Sequence, residues 1–307
     1  MLQEHLSPTN KTPSVEDLEI EDNRKRAWIV TGTLVIFIFL IFPSSLDKAL
    51  NLFENIFLKY LTGLLFHTLS LCIIVTTFVT FFKSIDLNED HPLRKYRICY
   101  ISVEEAQKHY TKLLKNPKQF LKVYASAISI VYTLSFWFCY FTDTLELEYS
   151  FIRNALMVIT SIYISDFWYY LLHRTSHYRL LYSWLHKPHH EYYNVTVMSN
   201  FHASVPEYFI FDIPTSVLGW LCMIPFIGKV TPQIITLSYM VLLLDQLVAH
   251  SGYDLPFWVD RVVSGLSESR FHYYHHKVNQ GSFGALFGVF DRLFGTYNLY
   301  YDKTKKE

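Results

Sequence analysis

Five of the chain's 14 histidines, His173, His177, His186, His189 and His190, fall in one short stretch where an even distribution would leave about one. Helix residues three or four apart share a face, so His173 and His177 make one pair and His186, His189 and His190 a compact triple. In the second half, His272, His275 and His276 repeat the triple's spacing. Each group suits a metal ion, because imidazole is a neutral ligand for iron, zinc or copper. Eight imidazoles exceed what one ion uses, so two metals are implied. Zinc is satisfied by four ligands, usually with Cys or carboxylate among them; ligand number and an apolar setting favour iron. A dimetal centre of this kind suits oxygen chemistry on a lipid, whose inert C–H bonds no side chain can oxidise.

The elements that must carry these residues are membrane helices. Of the 307 residues, 51% are hydrophobic, 18% aromatic and only 18% charged, which is too apolar for an ordinary soluble domain. A formal net charge of zero argues against a nucleic-acid partner. Four scattered cysteines form neither a disulfide framework nor a zinc ribbon. Residues 1–23 are polar and read as a disordered cytosolic tail. Arg24, Lys25 and Arg26 precede a first predicted span, 27–46, with further spans at 60–82, 123–141 and 151–172. Basic residues concentrate before the first span and in 83–122, which places both on the cytosolic side and brings His173 out at the cytosolic surface. The apolar runs 213–228 and 230–244 read as a hairpin that enters the membrane and returns. His250 and the His272 group then lie on the same side as the first two groups. The expected fold is an all-α integral membrane bundle, with the histidine-rich site in a cytosolic helical cap. Lys303 and Lys305 near the C-terminus resemble a dilysine retrieval signal, giving a multi-pass endoplasmic-reticulum protein with both termini cytosolic.

Acids close to membrane depth are costly unless paired, which singles out Asp166, Glu207, Asp212 and Asp245. Asp166 shares a helical stripe with Tyr170, His173 and His177, and Glu268 precedes His272 by one turn. Asp166, Glu207 and Glu268 are therefore expected to orient ligand imidazoles or their neighbours. Lone histidines, His5, His67, His91 and His109, are read as surface or locally satisfied residues.

At these residues the chain resembles the fatty acid hydroxylase / sterol desaturase superfamily of membrane diiron enzymes, marked by HX3H, HX2HH and a second HX2HH. Here these are His173-RTS-His177, His186-KP-His189-His190 and His272-YY-His275-His276. The similarity runs from Asp166 to Thr296 and includes HSGYD at 250–254 and FGVFDRLFGT at 287–296. It implies residues 24–165 as membrane helices with a cytosolic loop, 166–300 as the catalytic region and 301–307 as a tail. It also implies His250 as a ninth ligand, with Asp254 either a ligand or a group orienting one. The family's usual HPxE element is replaced by Ser204-Val205-Pro206-Glu207, with His202 nearby, which is more similar to the cholesterol 25-hydroxylase branch. The implied activity is hydroxylation of a lipid, foremost a sterol, using two iron ions, O2, and electrons from NAD(P)H through cytochrome b5 and its reductase. C-4 methyl sterol oxidation or desaturation is the alternative within the family. A histidine-rich metal transporter or sensor is the alternative outside it.

Overall fold

A computed structural model of the chain describes residues 15–36, 42–114, 117–145, 151–227, 229–261, 266–267 and 269–297. Regular structure there is helical, apart from two isolated antiparallel bridges, Arg97 with Tyr253 and Leu266 with Phe287. The α-helices in chain order are α1 Val15–Ile36, α2 Phe42–Leu50, α3 Ile56–Asp86, α4 Val103–Leu114, α5 Pro117–Phe141, α6 Phe151–Ser176, α7 Arg179–Leu185, α8 Val205–Glu207, α9 Ile213–Leu221, α10 Ile224–Ile227, α11 Pro232–Ala249, α12 Ser269–Val278 and α13 Val289–Leu293.

Among the described residues, α3, α6 and α11 are long and apolar enough to cross a bilayer. Even the shortest of these, α11, would run about 27 Å at 1.5 Å per residue, close to the thickness of the hydrocarbon core. The surfaces of α3 and α6 agree with a lipid setting. On α3, Leu61, Leu65, Leu69 and Ile73 form an exposed stripe at i, i+4, i+8 and i+12, and on α6 Ile152, Leu156, Ile159 and Tyr163 form another at i, i+4, i+7 and i+11. Stripes of this size would be an aggregation liability in water, and lipid chains cover them without cost. The third helix is instead the centre of the bundle. Leu237, Met240, Leu243, Leu244 and Leu247 of α11 are buried, and the helix packs against α3, α5 and α6.

Several sequence expectations change. Residues 15–23 are the first turns of α1 and not disordered tail; Glu21–Lys25 and Asp22–Arg26 ion pairs at i, i+4 support helix in this polar stretch. Of the span predicted at 27–46, α1 is described to Ile36 and α2 from Phe42, and residues 37–41 lie outside the described residues. The third predicted span lies within α5, which starts earlier, at Pro117. The first arm of the predicted hairpin is broken, α9 ending at Leu221 and α10 covering only Ile224–Ile227, while the second arm extends to Ala249. His67 is neither at the surface nor satisfied. It is buried, packs on Tyr132 and Tyr239, and both ring nitrogens lack a hydrogen-bond partner. His5, Glu268, Lys303, Lys305 and the rest of the 301–307 tail lie outside the described residues.

The most extensive helix pairing, α6 with α9, includes a close approach at Gly219. A Cβ there would lie 1.8 Å from the Ser165 Oγ and 3.0 Å from the Ser161 carbonyl oxygen. Small residues let membrane helices approach this closely. Gly219→Val should therefore destabilise the bundle by roughly 1–3 kcal/mol through overpacking. A lowered thermal midpoint of the detergent-purified protein is the expected readout; an unchanged midpoint would mean the two helices are not held at this distance.

Candidate metal centre

Nine histidines converge at the ends of α6, α11 and α12 and along the chain after α7, in two groups. One comprises His173, His177, His186, His190 and His275, the other His189, His250, His272 and His276. Within each group the ligand nitrogens lie within 4.8 Å of one another. The partition does not follow the sequence motifs. The pairs four apart, His173/His177, His186/His190 and His272/His276, each stay together, the first and last across one turn of helix and His186/His190 across the turn that follows α7. The middle residues cross over: His189 sits on a 3-10 turn, His189–Glu191, and joins the second group, while His275 of α12 joins the first. The expectation that each triple serves one metal is thus corrected, since each contributes to both groups.

The ring nitrogens away from each centre fix the tautomers. His173 Nδ1–H donates to the Phe283 carbonyl at 2.7 Å, His275 Nδ1–H to the Gly281 carbonyl at 2.8 Å, His250 Nδ1–H to the Gln246 carbonyl at 2.8 Å and His189 Nδ1–H to the His202 carbonyl at 3.3 Å. A carbonyl oxygen only accepts, so each Nε2 carries a lone pair. Burial, reinforced by neighbouring imidazoles, holds His189 well below the usual histidine range, and burial also lowers His250 and His275 to about 4. These rings are therefore neutral. Yet the His189 and His250 Nε2 atoms are only 3.1 Å apart, lone pair facing lone pair. That contact is repulsive unless a cation lies between them. The buried Nε2 of His177, in the first group, meets no hydrogen-bond partner among the described residues. An all-imidazole donor set with converging lone pairs fits a pair of transition-metal ions.

Carboxylates hold the cage without entering it. His186 Nδ1–H donates to Glu207 Oε1 at 2.7 Å, and Glu207 is itself set by a capping box in which Ser204 Oγ accepts from the Glu207 amide. Asp166 touches no imidazole directly. Its carboxylate accepts the amides of Ala285, Leu286 and Phe287, in the loop whose Phe283 carbonyl receives His173. The other anchor of that loop is Asp291, which accepts the Phe283 and Gly284 amides at 2.8 and 2.7 Å and the Thr296 hydroxyl at 2.7 Å. Sequence reasoning gave Asp291 no role. The signal for it was an acid within the apolar run FGVFDRLFGT.

Asp254 joins neither group and is ion-paired with Arg261 and Arg270. His202 donates its Nε2–H to Glu191 and likewise stands apart. The HSGYD segment is tied to the bundle by other residues. Buried Asp86 at the end of α3 accepts from Arg97 at 2.6 Å, Tyr253 at 2.8 Å and Tyr110 at 2.9 Å, and Arg97 also donates to the Val195 carbonyl. Gly252, at φ +78°, passes over this guanidinium, where a Cβ would sit 2.8 Å from the Val195 oxygen. His250 is thus held at its N-terminal side by α11 and at its C-terminal side by this network.

A cavity opens beside the centre. His186, His189, Glu207 and Asp166 line it, and Phe211, Leu242 and Leu243 supply apolar wall.

Helices suited to a membrane, a nine-histidine cage and an adjoining apolar cavity define the class: a membrane protein with a candidate dimetal site. The fatty acid hydroxylase family model matches residues 158–296, the stretch holding all nine histidines, and over this region the chain is similar to that family. Among curated proteins, the chain is 30% identical over 148 residues to methylsterol monooxygenase 1 of Gallus gallus, covering 47% of this chain and 48% of that protein. It is 28% identical over 177 residues to methylsterol monooxygenase 1 of Rattus norvegicus, covering 54% and 58%. It is 33% identical over 138 residues to a very-long-chain aldehyde decarbonylase of Oryza sativa subsp. indica, covering 43% and 49%. The chain spans about half the length of the curated relatives it matches. No solved structure matches it significantly.

Proposed function

We propose that this chain is a membrane-bound non-haem diiron monooxygenase that inserts oxygen into an unactivated C–H bond of a sterol. The observation that carries the reading is the close approach of imidazole Nε2 atoms within each of the two groups, His173 to His186 in the first and His189 to His250 in the second, beside an apolar cavity. His173, His177, His186, His190 and His275 would hold one iron, and His189, His250, His272 and His276 the other. Bound there, the iron pair supplies the O2-derived oxidising power that side chains lack. Glu207 keeps the His186 ring turned towards its metal, and Asp166 and Asp291 do the same for His173 through the loop that receives its Nδ1–H. The cavity walls exclude water and seat hydrocarbon against the cage.

Within sterol oxidation, the names of the animal relatives favour a methyl group on the ring system as the point of attack, with hydroxylation elsewhere on the sterol as the other form of the same chemistry. A transporter reading draws no support from the site, because its ligands gather at helix ends and not at the middle of a span. Electrons from NAD(P)H through cytochrome b5 and its reductase, location in the endoplasmic reticulum, cytosolic termini and a cytosolic cap complete the proposal. Two measurements test it. The protein purified from a sterol-containing host should hold about two irons per chain. Lipid profiles of that host, supplied with a b5 system, should gain an oxidised sterol or lose 4-methyl sterols. Exchangeable zinc with no O2 consumption and no sterol change would overturn the reading.

A further inference from the structure

The cavity beside the cage contains an acid that the metal centre does not use. Asp212, partly buried, lines it between walls that include Phe211, Ile213 and Leu243, and no hydrogen bond reaches its carboxyl among the described residues. An unpaired acid in such surroundings is expensive and marks a functional position. Its placement also has a structural cost. The chain from α8 to α9 runs as one continuous helix, but Tyr208–Asp212 is a π-helical turn, closed by the Ile213 amide bonding to the Tyr208 carbonyl five residues back. In an uninterrupted α-helix, residues five apart would point about 140° away from each other. The wider turn reduces that angle, and as a result Glu207 at the cage and Asp212 further along the helix both line the same cavity. Tyr239 and Ser216 add polar groups to the wall near Asp212.

From this geometry we infer that Asp212 anchors a hydroxyl group of the substrate, so that the cavity takes a lipid alcohol with its hydroxyl at Asp212 and its hydrocarbon extending to His186 and His189. This rests on the reading of the site as a sterol oxygenase and specifies how that substrate is oriented. An O–H donor satisfies the carboxyl without bringing a second charge into an apolar space. The anchor makes Asp212 a specificity-determining residue, one cavity length from the reacting C–H bond and outside the ligand set.

Equilibrium competition binding tests it, using the iron-loaded full chain in lipid nanodiscs with a 3-hydroxysterol and the corresponding 3-deoxy hydrocarbon. The wild type should prefer the alcohol by about 10–100-fold, the range of a hydrogen bond to a charged group. Asp212→Leu should abolish the preference by losing alcohol affinity while hydrocarbon affinity and iron content hold. Asp212→Asn, which keeps an acceptor and the side-chain shape, should retain part of it and decides the matter where the leucine variant does not fold. A preference unchanged in the variants would overturn the anchor. Equal binding of both probes by the wild type would also overturn it while leaving the sterol reading standing. Binding of neither probe by the iron-loaded protein would remove both.

Discussion

His275→Ala is expected to abolish turnover and to lower iron from about two ions per chain to about one, while the protein stays in the membrane. The imidazole of His275 reaches the first group from α12, and its position there is fixed by the bond from Nδ1–H to the Gly281 carbonyl. Four imidazoles would remain in that group and the second group would be untouched, so loss should be confined to one ion. Removing a residue that merely supports a ligand typically costs 10–100-fold in metal affinity or activity, and loss of a ligand itself should exceed about 100-fold. Membrane residence depends on other segments. α3, α6 and α11 carry the long apolar runs, and α12 is not among them. Iron analysis of the purified variant, product formation and carbonate extraction of membranes separate these three effects. Retained turnover would remove His275 from the ligand set, and extraction of the variant into the soluble fraction would mean that the cage and the spans do not fold independently.

How far the sequence led depends on whether a feature follows from local pattern. α3 and α6 were legible because a run of some twenty uncharged residues has few alternatives to a membrane-length helix. The nine histidines that gather were legible because chance does not produce the same spacing twice, and His250 was reached only through the family resemblance. Their division into two groups was not. Helical spacing treats His186, His189 and His190 as one face, but the chain there leaves α7 and enters a 3-10 turn, which sends His189 to the other side. The π-turn at Tyr208–Asp212 was not legible either, since its apolar and aromatic residues fit an α-helical turn equally well. Asp166 was legible as an acid at unusual depth, and its partners were not, because three backbone amides more than a hundred residues away leave no trace in composition. The start of the first helix was not legible for a different reason: a hydropathy window counts apolar residues and cannot see that α1 begins earlier, at Val15, on the strength of i, i+4 ion pairs.

Glu207 is where the cage, the cavity and the helix that carries Asp212 meet, and its substitution should separate their contributions. The carboxylate receives the His186 Nδ1–H at 2.7 Å, and its Oε2 accepts the Ser204 amide in the capping box that starts α8. Glu207→Ala removes both. Loss of the first leaves His186 free to rotate and should weaken iron binding about 10–100-fold. Loss of the second should cost roughly 0.5–2 kcal/mol of stability, the range for a helix cap. Glu207→Gln keeps the size and an amide oxygen that can accept from Nδ1–H, so it should restore most of the stability but only part of the iron affinity, a neutral acceptor holding the imidazole less firmly than a carboxylate. Iron affinity read by chelator competition and the thermal midpoint of the metal-free protein report the two effects independently. If Glu207→Ala lowered the midpoint and left chelator competition unchanged, Glu207 would be a helix cap alone, and the orientation of His186 would have to come from the packing of Phe211 and the neighbouring rings.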